Sequence, residues 1–196
     1  GMATESEIAE AVTAFRSAGG GELVLLACTS AYPTPSEDVH LRRIPELAKK
    51  FHCASGFSDH TAGWEAAVAA VCLGACMIEK HFTTDRALPG PDQWFSSDAV
   101  EFKELVRRVR ATETMLGRSD LQPAKAELRS REQFRLSCIA ARDLPAGHVV
   151  ADSDIVFRRP GTGVPPGDVG RLIGRRLAGP ARQGEVFSAN SFTTSA

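Results

Sequence analysis

Two histidines offer the most legible chemistry in this sequence. His60 stands in Gly56-Phe57-Ser58-Asp59-His60-Thr61, and His81 in Ile78-Glu79-Lys80-His81-Phe82-Thr83. Each follows a short apolar run, Cys53 to Phe57 and Ala75 to Ile78, of the kind that forms a buried strand. Between them, Ala62 to Leu73 reads as a helix closed by Gly74. A strand–helix–strand unit lays its strands parallel, so both histidines are expected to leave the sheet at the same end. Chemistry in α/β proteins gathers at that carboxyl end. Two imidazoles converging there point to a metal site, while a solvated loop histidine or a strand-end hydrogen bond is the plainer reading of the same spacing.

The neighbours of the pair each admit a chemical and a structural role. Ser58 and Thr61 precede the helix predicted from Ala62, whose free N–H groups favour an anion; Thr61 could equally be an ordinary N-cap. Asp59 reads as a supporting or capping carboxylate, and Lys80 as structural. Asp92 follows Pro89-Gly90-Pro91, a rigid loop suited to presenting a carboxylate or simply to turning the chain. Ser30 and Tyr32 follow a further apolar run and suit polar contacts to a ligand, although Tyr32 could instead pack on prolines. Arg158 and Arg159 precede Pro160, which favours an extended backbone; a solvated basic pair is their plain reading.

Composition narrows the function classes. The chain has 196 residues, 43% hydrophobic and 24% charged, with a formal net charge of -1. That is enough for one or two small domains with a core, and it lacks the basic face of a nucleic-acid binder. No apolar run approaches the ~20 residues that span a bilayer, and no secretory signal is visible, so a cytoplasmic location is expected. The five cysteines sit mostly in apolar runs, and Cys72 and Cys76 lack redox or zinc-ribbon spacing. Buried free thiols are expected.

The elements that must position these residues alternate. Thr4 to Glu7 fits a capping box opening a helix on Ile8, Val12 and Phe15. Leu23 to Cys28 reads as a strand, Leu41 to Phe51 as an amphipathic helix, then come strand 53–57, helix 62–73 and strand 75–80. Ser97 is predicted to cap a long helix carrying Phe102, Leu105, Val106 and Val109. An αβαβαβα order with strands apolar on both sides predicts a parallel sheet or a (β/α) barrel, yet three strands are few for either. Residues 119–133 turn polar and are predicted to be a linker. From Phe134, short β-like runs alternate with turn signals, predicting a small, mostly β domain over 134–196 with a helical piece near Asp168 to Leu172.

At this point the motifs resemble a family. Cys28-Thr29-Ser30-Ala31-Tyr32-Pro33-Thr34-Pro35, the His60 and His81 motifs and Pro89-Gly90-Pro91-Asp92 look like the sialic acid synthases, including legionaminate and pseudaminate relatives. Arg158-Arg159-Pro160-Gly161-Thr162-Gly163 resembles the motif of the antifreeze-like (SAF, β-clip) domain that ends such enzymes. The resemblance implies the C-terminal portion of a (β/α)8 TIM barrel over 1–118, followed by the SAF domain. It implies condensation of phosphoenolpyruvate with N-acetylmannosamine, or a related N-acetylated amino sugar, to a nine-carbon 2-keto acid and phosphate. It also implies a divalent metal on His60 and His81, manganese first, with magnesium or cobalt as alternatives. Asp92 matches an acidic residue near the sugar, and Glu79, opposite to Ile78 on its strand, is expected to face the interior and support His81; these two are the catalytic candidates. Ser30, Tyr32, Ser58 and Asp92 match positions that line the phosphoenolpyruvate and sugar pocket. Arg159 matches an arginine reaching into a partner's barrel, which implies a domain-swapped homodimer.

There are departures. Some relatives carry Asn where Ser30 stands, and the residues matching the barrel's first half are absent, so the chain alone is expected to be inactive. Open strand edges would then favour association. A non-catalytic dimerisation or carbohydrate-binding module is the alternative reading.

Overall fold

The computed structural model describes residues 1–193. These form two compact units, Gly1–Ser119 and a second that begins at Asp120. In the first, α1 (Glu5–Ser17) starts at Thr4 with the expected capping box: Thr4 accepts from the Glu7 N–H, and the Glu7 carboxylate accepts from the Thr4 N–H. There follow β1 (Val24–Cys28), α2 (Arg43–Phe51), β2 (Ala54–Asp59), α3 (Glu65–Cys72), β3 (Ile78–Lys80) and α4 (Ala99–Leu116).

The strands lie in the order β1-β2-β3, all parallel. Register sets what each face carries. Ala27, Phe57 and Ile78 are aligned, and this row packs with Ile44 of α2 and Ala70 of α3 into the core. Burying Phe57 there is worth roughly 1.5–3 kcal/mol. Side chains alternate along a strand, so the next row, Cys28, Ser58 and Glu79, faces away from the helices. On that face Gly56 is required: a Cβ would lie 2.5 Å from the Met77 carbonyl oxygen and 2.6 Å from a Leu26 methyl.

Some boundaries differ from expectation for physical reasons. Helix α3 begins at Glu65, because Thr61 is drawn into bonds with Asp59 and leaves Trp64 at the N-cap. Asp98, not Ser97, caps α4, with Glu101 completing a capping box. The buried-thiol expectation fails in part: Cys138 is buried and Cys28 and Cys53 half-buried, whereas Cys72 and Cys76 are exposed at the end of α3 and before β3, and all five are free.

In the second unit the predicted linker is itself structured. A 3-10 turn (Lys125–Glu127) runs into α5 (Leu128–Phe134), which leads to β4 (Ser137–Ala140) and β5 (Ile155–Arg158). These two strands are antiparallel, and the remaining pairing is through isolated bridges such as Ile139 with Val186 and Leu144 with Ala181. The core gathers Cys138, Leu144, Val150, Leu172, Leu177, Phe187 and Phe192. The predicted helical piece is a 3-10 segment, Pro166–Arg171.

One charge is buried in this unit. Asp154 is fully buried and accepts from the Ala151 N–H (3.0 Å), His148 Nε2 (2.7 Å) and Arg142 Nη2 (2.6 Å). The Ala151 N–H first, then His148 and Arg142, hold its carboxyl at about 2. An unfolded aspartate titrates near ~3.9, so the folded pKa is depressed. The stability this contributes is present above pH ~4 and lost as pH falls towards about 2. Asp154→Asn is expected to cost about 1–3 kcal/mol and to flatten the stability loss across that acid window. Thermal denaturation against pH would show this, and an unchanged acid slope would contradict it.

Candidate functional site

The strand ends converge as the register requires. His60 and His81 each stand one residue beyond an aligned pair, Asp59 and Lys80, on the face that carries Ser58 and Glu79. Their ring centroids are 5.1 Å apart with planes at 71°. His60 is buried; its Nδ1 lies 2.9 Å from the Thr29 carbonyl oxygen and 3.9 Å from Cys28 Sγ. A carbonyl can only accept, so Nδ1 carries a proton, and in the neutral ring the lone pair is left on Nε2. Among the described residues no buried side-chain nitrogen lacks a hydrogen-bond partner, so the unbonded Nε2 retains some exposure although the residue as a whole is buried.

The surroundings of the pair are aromatic and acidic. Tyr32 packs on His60 at 4.3 Å and on His81 at 5.6 Å; Phe95 packs on Tyr32 at 5.0 Å and on His81 at 4.9 Å. Asp92 Oδ2 is 3.8 Å from His81 Nδ1, too long for a hydrogen bond. Just before the histidines, Ser58 Oγ donates to Glu79 Oε1 at 2.6 Å. The helix-facing side is closed by a different network. Lys80 Nζ donates to Asp59 Oδ2 (2.9 Å) and to the Thr61 carbonyl (2.8 Å), while Asp59 Oδ1 accepts from the Thr61 N–H and hydroxyl.

The pair fits a divalent ion. Two imidazole nitrogens at ~2.1 Å from one ion, near a tetrahedral angle, would set the ring centroids about 5 Å apart, as observed. The Thr29 carbonyl supplies the outer hydrogen bond that orients a ligating imidazole. No set of three or more His, Cys, Asp or Glu groups suited to a metal occurs among the described residues, so two imidazoles would be this chain's donor set, with positions left for water and substrate.

The structure therefore brings Tyr32, Ser58, His60, Glu79, His81 and Asp92 to one sheet end. Ser30 is exposed at the start of the loop after β1 and has no hydrogen bond to that cluster among the described residues. Arg159 belongs to the second unit. There its Nε donates to the Phe134 carbonyl at 3.1 Å, and its guanidinium lies 5.1 Å from the Phe134 ring centroid. The motif after it is tied down by Ser137, whose hydroxyl donates to the Pro160 carbonyl and accepts from the Gly163 N–H. A Cβ on Gly163 would lie 2.1 Å from a Val186 methyl, so only glycine fits.

Residues 1–120 match the model of the NeuB family, and residues 137–193 that of the SAF domain. The chain belongs to the NeuB family. It is 44% identical over 156 residues to an N,N'-diacetyllegionaminic acid synthase of Legionella pneumophila, covering 80% of this chain and 44% of that protein. It is 36% identical over 192 residues to a pseudaminic acid synthase of Campylobacter jejuni, covering 98% of this chain and 56% of that one. A crystal structure of N-acetylneuraminic acid (sialic acid) synthetase from Leptospira borgpetersenii superposes with a TM-score of 0.60 at 37% identity, over 66% of this chain and 45% of that one. The chain thus spans about half the length of the curated relatives it matches. The resemblance drawn from the motifs to the sialic, legionaminic and pseudaminic acid synthases holds. No helix among the described residues is long and apolar enough to cross a membrane.

Residues of this NeuB portion that motif reading passed over are Phe95 and its neighbour Trp94, and the Thr29 carbonyl. Two adjacent aromatics inside a Pro/Gly-rich loop were the available signal; a backbone acceptor leaves none. The two sides of β2 and β3 should separate in mutagenesis. Lys80→Ala leaves the buried Asp59 carboxylate unpaired and is expected to cost about 3–5 kcal/mol. Glu79→Ala removes one exposed acceptor and is expected to cost about 1 kcal/mol. Urea denaturation of the two variants checks the order, and equal losses would contradict it.

Proposed function

We propose that this chain is the metal- and sugar-binding part of a sugar acid synthase. Such an enzyme condenses phosphoenolpyruvate and water with N-acetylmannosamine, or a related N-acetylated amino sugar, giving a nine-carbon 2-keto acid and phosphate. The carrying observation is the His60–His81 pair at one sheet end, its rings 5.1 Å apart, with Nδ1 of His60 taken up by the Thr29 carbonyl and its Nε2 free of hydrogen bonds. The names of the relatives support a sugar acid product. Because the chain spans about half their length, the activity is assigned to the whole enzyme, and this chain alone is expected to be inactive.

In this reading the three strands belong to a (β/α)8 barrel, and His60 and His81 hold a divalent ion, manganese first, with magnesium or cobalt as alternatives. The bound ion would supply Lewis-acid polarisation of the sugar's aldehyde oxygen. Asp92, on the rim beside His81, offers a carboxylate to accept a hydrogen bond from a sugar hydroxyl. Ser58, Tyr32 and Ser30 offer hydroxyls to phosphoenolpyruvate and sugar, and Glu79 orients the Ser58 hydroxyl. Arg159 presents a planar donor fork to a sugar's acyl oxygen in a partner's barrel, which makes the working form a domain-swapped homodimer. The setting is cytoplasmic, without nucleic acid or membrane partners.

Calorimetric manganese titrations of wild type, His60→Ala and His81→Ala test the assignment. Each substitution is expected to weaken manganese by at least about 10-fold and, in the whole enzyme, to abolish phosphate release. Unchanged affinity in both variants would remove the metal reading. N-acetylmannosamine binding that survives both losses, without turnover in the whole enzyme, would favour a carbohydrate-binding module instead.

A further inference from the structure

The two histidines are held by different means. His60 has a hydrogen bond that fixes its ring, from Nδ1 to the Thr29 carbonyl. His81 has no side-chain hydrogen bond among the described residues; Asp92 Oδ2 lies 3.8 Å from its Nδ1, beyond hydrogen-bond distance. What surrounds the His81 ring is aromatic: Phe95 at 4.9 Å, His60 at 5.1 Å and Tyr32 at 5.6 Å. Tyr32 is 44% exposed, which leaves Phe95, half-buried, as the firmer wall.

Phe95 is itself well anchored. Trp94 packs edge-on against it at 5.2 Å. The loop that carries it is closed by the Ser96 hydroxyl donating to the Asp92 carbonyl (2.6 Å), by Arg86 Nε donating to the Ser96 carbonyl (2.9 Å) and by the Thr83–Gln93 side-chain pair. Two residues on, Ser97 donates its N–H to the His81 carbonyl and accepts from the Thr83 N–H, both at 2.9 Å. One short segment thus clamps the His81 backbone through Ser97 and its ring through Phe95.

We propose that Phe95 is a positioning residue for His81, doing by ring packing what the Thr29 carbonyl does for His60 by hydrogen bonding. The role rests on His81 being a ligand. Aromatic pairs favour tilted and edge-on geometries, and the 55° angle between these planes is of that kind. Removing the ring frees the imidazole to rotate, and a ligand that must be ordered on binding holds its ion more weakly.

The test uses the full chain and its variants Phe95→Ala, Phe95→Leu, Phe95→Tyr, Trp94→Ala and His81→Ala. Two readouts are taken: manganese affinity by calorimetry, and the His81 ring resonances in metal-free protein by proton–carbon NMR. Phe95→Ala and Phe95→Leu are expected to weaken manganese by about 10-fold and to move the His81 resonances towards free-imidazole values, with those of His60 and the melting temperature unchanged. Phe95→Tyr is expected to stay within about two-fold of wild type, as is Trp94→Ala. Wild-type affinity and His81 shifts in Phe95→Leu would overturn the proposal. So would a loss accompanied by equal movement of His60 and a fall in melting temperature, which marks a merely structural residue. If His81→Ala binds manganese like wild type, the metal assignment itself fails; if His81→Ala loses manganese and Phe95→Ala does not, only the positioning role fails.

Discussion

At the carboxyl ends of β2 and β3, Lys80 donates to Asp59 across two side chains that are 5% and 0% exposed. Removing both charges from water is costly, and the Thr61 N–H, hydroxyl and carbonyl help to offset that cost by completing the hydrogen bonding. The more consequential effect is on register. A slip of one residue in β3 would turn His81 to the helix-covered side and leave the Asp59 carboxylate without its cation. With Asp59 aligned to Lys80, His60 and His81 emerge side by side on the opposite face.

That face is graded along the strands. Near its start lie Leu26 and Met77 against the bare Cα of Gly56; at its end stand Ser58, Glu79 and the histidines, roofed by Tyr32 and Phe95. An apolar floor with a polar, aromatic mouth is the general character of small-molecule sites. A separate groove of about 1190 Å³ between α1, β1 and α2, lined by residues such as Leu25, Leu41 and Leu47, includes neither histidine and carries none of this chemistry. The second unit relies on the same device of a buried carboxylate, Asp154, satisfied by a main-chain N–H, the His148 imidazole and the Arg142 guanidinium.

Much of this was legible because it is local. The capping box at Thr4 and Glu7 sets the start of α1, and the apolar runs before each histidine mark strands whose parallel pairing follows from the helix between them. The family motifs named the candidate site. What was not legible depended on contacts between segments distant in the chain. Thr61 looks like an N-cap, but Asp59 captures it and the helix starts four residues later. Ser97 looks like a cap as well, yet its backbone is bound to His81 and Thr83, which passes the role to Asp98. Cys72 and Cys76 sit in apolar text but at an element end and before a short edge strand, where nothing covers them. The packing of Phe95 on His81 joins a loop to a strand end, and spacing alone does not reveal it.

The central claim is that His60 and His81 share one ion. Anomalous diffraction from crystals soaked in manganese, recorded near the manganese edge, tests it most directly. The account predicts a single strong peak at about 2.1–2.3 Å from a ring nitrogen of each histidine, on the face that carries Ser58 and Glu79. No peak between the two rings, or a peak bound to only one of them, would contradict it.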